Sequence, residues 1–172
     1  MAVAELRDRA HAAMSNPLRG RDGEMVKLYA HLARLQTGAG TNWLIEGGPG
    51  LGKSRLIEQA VWAARRCGFA VGHGVAEPGD AAVELAVLMD ALFEGPEPLL
   101  ERSALGDSHA SREQRYWLVQ DIQTLLEQSA LRQPILICLD DLQWADNTSL
   151  KLMTLMMCDS TLLYLFFIGA YR

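Results

Sequence analysis

Gly47-Gly48-Pro49-Gly50-Leu51-Gly52-Lys53-Ser54 has the spacing of the phosphate-binding pattern G-x-x-x-x-G-K-[ST]. Each residue type has a physical role. Glycines reach backbone angles that a β-carbon forbids and let the main chain approach a ligand. Consecutive N–H groups then line one concavity, an anion nest. A helix starting at about Gly52 adds its positive end. Lys53 supplies an ammonium for the β- and γ-phosphates, and the Ser54 hydroxyl is an oxygen ligand for a hard cation such as Mg²⁺. The flanks provide the setting the pattern requires. Asn42-Trp43-Leu44-Ile45-Glu46 is apolar and strand-like, and residues 54–66 carry apolar side chains at helical spacing without Pro or Gly. Strand, glycine loop and helix make a chance glycine turn a poor account of these residues.

The chain of 172 residues is long enough for one domain with a full core. Its net charge of -5 argues against a free-standing nucleic-acid binder, which carries a basic face. Cys67, Cys138 and Cys158 are far apart, and each lies in an apolar segment. Buried, reduced thiols of a cytoplasmic protein are expected. His11, His31, His73 and His109 are scattered, with no structural metal pattern. Charges interrupt the N-terminus, so no signal core forms there. The apolar run 162–168 is too short to span a bilayer.

Read in order, residues 1–16 form a polar or helical lead-in. Asp22 is an N-cap candidate for a helix from about Gly23 to Gln36. Strands are expected at 42–47, 69–75 and 135–139, with a last one at about 162–168. Helices are expected from about Gly52 to Arg66, over 81–93, from Ser111 to about Leu131, and over 148–157. Ser111-Arg112-Glu113-Gln114 has the spacing of a capping box. Asp146 or Asn147 caps the 148–157 helix. Alternating helices and apolar strands give a three-layer α/β domain with a parallel sheet. Because the chain stops at a core strand, it reads as the N-terminal part of something longer, or as a truncated product.

Asp140-Asp141 ends a buried strand. Two carboxylates there are costly unless a cation neutralises them. A Mg²⁺–nucleotide complex does so, with Asp140 holding the ion and Asp141 orienting or deprotonating the attacking water. A solvated turn is the bland alternative. Arg172 stands at the carboxyl edge, where ligands bind in open α/β sheets. It is either a γ-phosphate sensor or a charged terminus, and the residues leave both open. Trp144 could stack on a base, but packing under the sheet is the favoured reading. Arg21 sits either at the surface or near a nucleotide, and its chemistry favours the surface.

Four stretches now occur in a telling order: Leu18-Arg19-Gly20-Arg21-Asp22, the loop at 47–54, Leu139-Asp140-Asp141-Leu142-Gln143-Trp144-Ala145-Asp146, and Gly169-Ala170-Tyr171-Arg172. Together they resemble the AAA-type ATPase module (a STAND/AAA-like P-loop NTPase) of large ATP-binding LuxR-family transcriptional regulators of bacteria. The resemblance implies an ASCE/AAA-type sheet of order 5-1-4-3-2, truncated here after the fourth strand. It implies ATP and Mg²⁺ as cofactors. Nucleotide would be bound by Arg21, near the adenine or ribose, and by Gly47, Gly48, Pro49, Gly50, Leu51, Gly52, Lys53, Ser54 and Arg55. Ser54 and Asp140 would hold the metal; Asp141, Lys53 and Arg172 would be catalytic. Many motor-type relatives carry Glu where Asp141 stands, and the shorter acid suits a slow switch.

The resemblance further implies a cytoplasmic protein. Its partners would be ATP or ADP and, in the full-length protein, regulatory and DNA-binding domains. Neither a direct nucleic-acid contact nor a membrane is expected for this segment. Without a fifth strand the first strand becomes an exposed edge, so self-association is expected. The alternatives are a turnover motor ATPase and an inert truncated fragment; a small-molecule kinase lacks an acceptor-binding pattern.

Overall fold

The computed structural model describes residues 20–94, 97–105, 112–158 and 165–172. The lead-in, Leu18, Arg19, and Ser111 of the capping box lie outside the described residues. Four strands, β1 (Thr41–Glu46), β2 (Ala70–Val75), β3 (Ile135–Asp140) and β4 (Leu165–Tyr171), alternate with helices α1 (Asp22–Gln36), α2 (Lys53–Arg66), α3 (Ala86–Phe93), α4 (Arg112–Ala130) and α5 (Asn147–Cys158). The strands form one all-parallel sheet of order β1-β4-β3-β2. The expected order holds for the strands present, and β1 is an edge.

Burial on both faces explains the apolar runs. In β3, Leu136 and Cys138 face a cluster with Leu28, Leu32 and Leu35 of α1 and Leu56, Ile57 and Ala60 of α2. Ile135, Ile137 and Leu139 face the opposite cluster, with Leu88 and Leu92 of α3, Ile122 and Leu126 of α4, and Leu152 and Met156 of α5. Two helical layers thus enclose the sheet. Gly68, at φ 78°, ends α2 with the N–H bonds of Gly68 to Arg65 and of Phe69 to Ala64, a left-handed cap that glycine adopts without strain.

Several boundaries differ from expectation. Asp22 lies inside the first turn of α1, and the cap position is Arg21, with no side-chain cap bond. Helix α3 starts only at Ala86, after a short 3-10 turn at Asp80–Ala82 and an extended Val83. Leu85, at φ 63° and buried, is the break that hydrophobicity alone does not reveal. Strand β4 runs through Gly169, Ala170 and Tyr171, which read as sequence beyond the strand. Its ladder with β1 continues to Glu46 opposite Tyr171. Of the cysteines, Cys138 is buried, Cys67 is half-buried and Cys158 is exposed, so uniform burial fails. Asp146 caps α5, its Oδ1 accepting the Thr148 and Ser149 N–H groups at 2.9 Å each.

Candidate functional site

The glycine loop leaves the carboxyl end of β1. The Gly47 N–H donates to the Tyr171 carbonyl at 3.3 Å, tying the loop's start to β4. Gly50 and Gly52 adopt φ 75° and 77°, the left-handed region that favours glycine. Helix α2 then begins at Lys53 with no side-chain cap and no acid in its first turn. Its leading N–H groups and positive end are therefore uncompensated by any carboxylate of that turn. Lys53 is 8% exposed, and its Nζ donates to the carbonyls of Gly47 at 2.7 Å and Gly48 at 3.0 Å. Pro49, Leu51, Ser54 and Arg55 are exposed around this curl.

Arg21 is not a free surface charge. Its guanidinium donates to the Leu51 carbonyl of the loop and to Glu24 at 2.7 Å. That contact crosses 30 positions of sequence, which is why side-chain chemistry alone pointed to solvent.

The acidic half of the site leaves β3. Asp140, 3% exposed, is the last residue of the strand. Its Oδ1 accepts the Asp141 N–H at 2.8 Å. A carboxylate has about four acceptor positions, so this one bond leaves room for a hard cation. Asp141 adopts φ 52° and ψ 41°, a conformation in which Asp is enriched. The chain then turns through Leu142–Trp144, and Trp144, 38% exposed, is not packed away beneath the sheet. The Asp141 Oδ1 accepts from Gln143 Nε2 at 2.7 Å and lies 3.9 Å from Arg172 Nε.

Only β4 separates β1 from β3, so with strands ~4.8 Å apart the loop and the acid pair stand about 10 Å apart at their roots. Both are at the carboxyl edge of the parallel sheet, with Arg172, the residue directly after β4, between them. Every residue of the expected set within the described region is therefore on one rim. Glu46 and Tyr171 also stand there and were not anticipated. The Tyr171 hydroxyl donates to Glu46 at 3.2 Å, and the Glu46 charge raises the tyrosine's pKa. Burial lowers the His73 pKa, which Asp140 partly opposes. Burial pushes the Cys138 thiol up, so it stays protonated.

These residues fit a Mg²⁺–nucleotide. Mg²⁺ binds through one or two protein oxygens beside phosphate, and Ser54 and Asp140 offer them. Among the described residues no three His, Cys, Asp or Glu side chains form a cluster that could hold a metal alone. No described helix is long and apolar enough to cross a membrane.

Fold and rim together define an AAA-type P-loop module, a nucleotide-binding class. Residues 17–168 match the family described as AAA ATPase domain, and the chain belongs to that family. The fold is similar to that of the Aeropyrum pernix ORC2 protein (ADPNP-ADP complexes), with a TM-score of 0.54 and 17% identity. That match covers 95% of this chain and 45% of the ORC2 chain, so the chain spans less than half of that relative's length. Among curated proteins, none matches.

Proposed function

We propose that the chain is an ATP·Mg²⁺-binding switch with slow hydrolysis, part of a larger cytoplasmic transcriptional regulator of the LuxR type. The observation that carries the nucleotide reading is the buried Lys53 ammonium inside a glycine curl, on the same sheet edge as the buried Asp140. A triphosphate supplies the anion the first calls for, and its metal supplies the cation the second calls for. Adenine is supported by the ADPNP and ADP complexes of the similar ORC2 protein. The regulator context is supported by the sequence Asp140-Asp141-Leu142-Gln143-Trp144-Ala145-Asp146.

In this reading the N–H groups at residues 50–54 and Lys53 bind the phosphates. Ser54 and Asp140 would hold the Mg²⁺, which would screen phosphate charge. Arg21 orients the loop at Leu51 and lies toward the nucleoside. Asp141 accepts a proton from the attacking water, and the Arg172 guanidinium faces the γ-phosphate. Asp, shorter than Glu by one methylene, holds that water less closely, which favours a switch over a motor. The γ-phosphate then provides the differential contacts that bias a conformation.

Titration calorimetry with Mg²⁺–ATP and Mg²⁺–ADP tests the reading. Binding by the wild-type chain that is lost in Lys53→Ala supports it. Equal affinity of the two proteins overturns it.

A further inference from the structure

Gln143 stands between two members of the site and belongs to neither. Its Nε2 donates to Asp141 Oδ1 at 2.7 Å, and its Oε1 accepts the Arg172 N–H at 3.1 Å. The partners fix the amide's orientation: a carboxylate only accepts and a backbone N–H only donates. Arg172 is one residue past the last paired position of β4, so the glutamine carbonyl holds its N–H where the strand ladder no longer does. The turn that presents Gln143 is itself anchored. The Trp144 N–H donates to the Asp141 carbonyl at 2.9 Å. The Leu142 side chain occupies the space that Gly169 of β4 leaves open; a Cβ on Gly169 would lie 2.7 Å from Leu142 Cδ1.

We propose that Gln143 is a positioning residue, a two-sided amide bridge that couples the Asp141 carboxylate to the end of β4 from which the Arg172 guanidinium projects. The inference rests on the nucleotide-site reading. In this structure the guanidinium is within 3.9 Å of the same Asp141 oxygen that Gln143 holds. A γ-phosphate in the rim competes with Asp141 for that guanidinium. Gln143 keeps a donor on the carboxylate when the arginine turns away, and keeps the arginine's backbone in register while it turns. Only an amide does both: glutamate lacks the donor, and alanine lacks both groups. The bridge therefore favours binding of a triphosphate over a diphosphate.

The test is the pair of dissociation constants for Mg²⁺–ADP and a β,γ-imido ATP analogue, measured on the 172-residue chain, Gln143→Ala and Gln143→Glu. Both variants are expected to weaken the analogue by about five-fold or more while ADP stays within about two-fold. Melting temperatures should fall by no more than about 2–4 °C, since both bonds are solvent-exposed. An unchanged analogue Kd in Gln143→Ala, or equal weakening of both ligands, overturns the bridge. So does a Gln143→Glu chain that behaves as wild type, because the bond to Arg172 alone then suffices. If Lys53→Ala loses both ligands while Gln143→Ala keeps wild-type constants, only the bridge fails. A wild-type chain that binds neither ligand refutes the nucleotide site beneath it.

Discussion

The Lys53 ammonium lies 2.7 Å from the Gly47 carbonyl oxygen and 3.0 Å from that of Gly48. The lysine is thus folded into its own loop, shielded from solvent and satisfied by backbone acceptors. A bound phosphate must replace at least part of this pairing, and it offers a full negative charge in place of neutral dipoles. Lys53→Ala removes the central cation. A loss of about 100-fold or more in nucleotide affinity is expected, the scale of truncating one side of a buried charge pair. Competition against a fluorescent ATP analogue measures it.

Asp141 follows Asp140, the residue proposed to hold the metal, and is itself the proposed base. Asp141→Asn keeps the side chain's shape and its acceptor for Gln143, but removes the base. Nucleotide affinity should stay near wild type while turnover falls by about 100-fold or more, the range for loss of general base catalysis. Single-turnover phosphate release gives the rate. An undiminished rate would assign the proton to another group.

Gly74 and Gly72 face the backbone of α3. A Cβ at Gly74 would lie 2.5 Å from the Val87 carbonyl oxygen, and one at Gly72 would lie 2.6 Å from that of Ala91. Backbone cannot swing aside as a side-chain tip can. Gly74→Ala should cost about 1–3 kcal/mol through overpacking. Gly23 is in the exposed first turn of α1, and a methyl group added to it would meet nothing within 4 Å. Gly23→Ala should stabilise the chain by about 0.5–1 kcal/mol. Opposite shifts of the melting temperature for the two alanines are the expected result.

His31 links α1 to β1. Its Nδ1 is 2.9 Å from Thr41 Oγ1 and its ring stacks on Trp43 at 5.9 Å. Burial, and then the Arg34 charge, hold its pKa below the ordinary histidine value of 6.5. The unfolded chain therefore binds the proton more readily than the folded one, and stability declines as pH falls below 6.5. An NMR titration should place the His31 midpoint below 6.5, and urea midpoints should decrease as the pH is taken from 7 down through that value. A midpoint at or above 6.5 would contradict the burial argument.

Much of this was legible from residue order. The glycine loop, the helix after it and the doubly buried β3 depend on local backbone freedom and on the period of apolar side chains. The carboxyl-edge position of Asp140 follows from its place at the end of such a strand. Other features were hidden because local hydrophobicity does not register them. Leu85 breaks an apolar helix through a left-handed backbone. Gly169 reads as lying just past β4, yet it is paired within the strand to Leu44 and Leu139, and Leu142 and Leu44 take the space its missing side chain leaves.

By itself, the order of residues determined a phosphate-type loop between strand and helix, a buried acidic strand end, and an α/β layering, since each is set by neighbours within a few positions. The sheet order was implied only by resemblance to a known family; tertiary structure alone decided that Arg21 grips Leu51 across 30 positions and that Gln143 reaches Arg172 across 29. Those contacts depend on which strands become neighbours, and that is settled by packing two helical layers on one sheet rather than by any short stretch of chain.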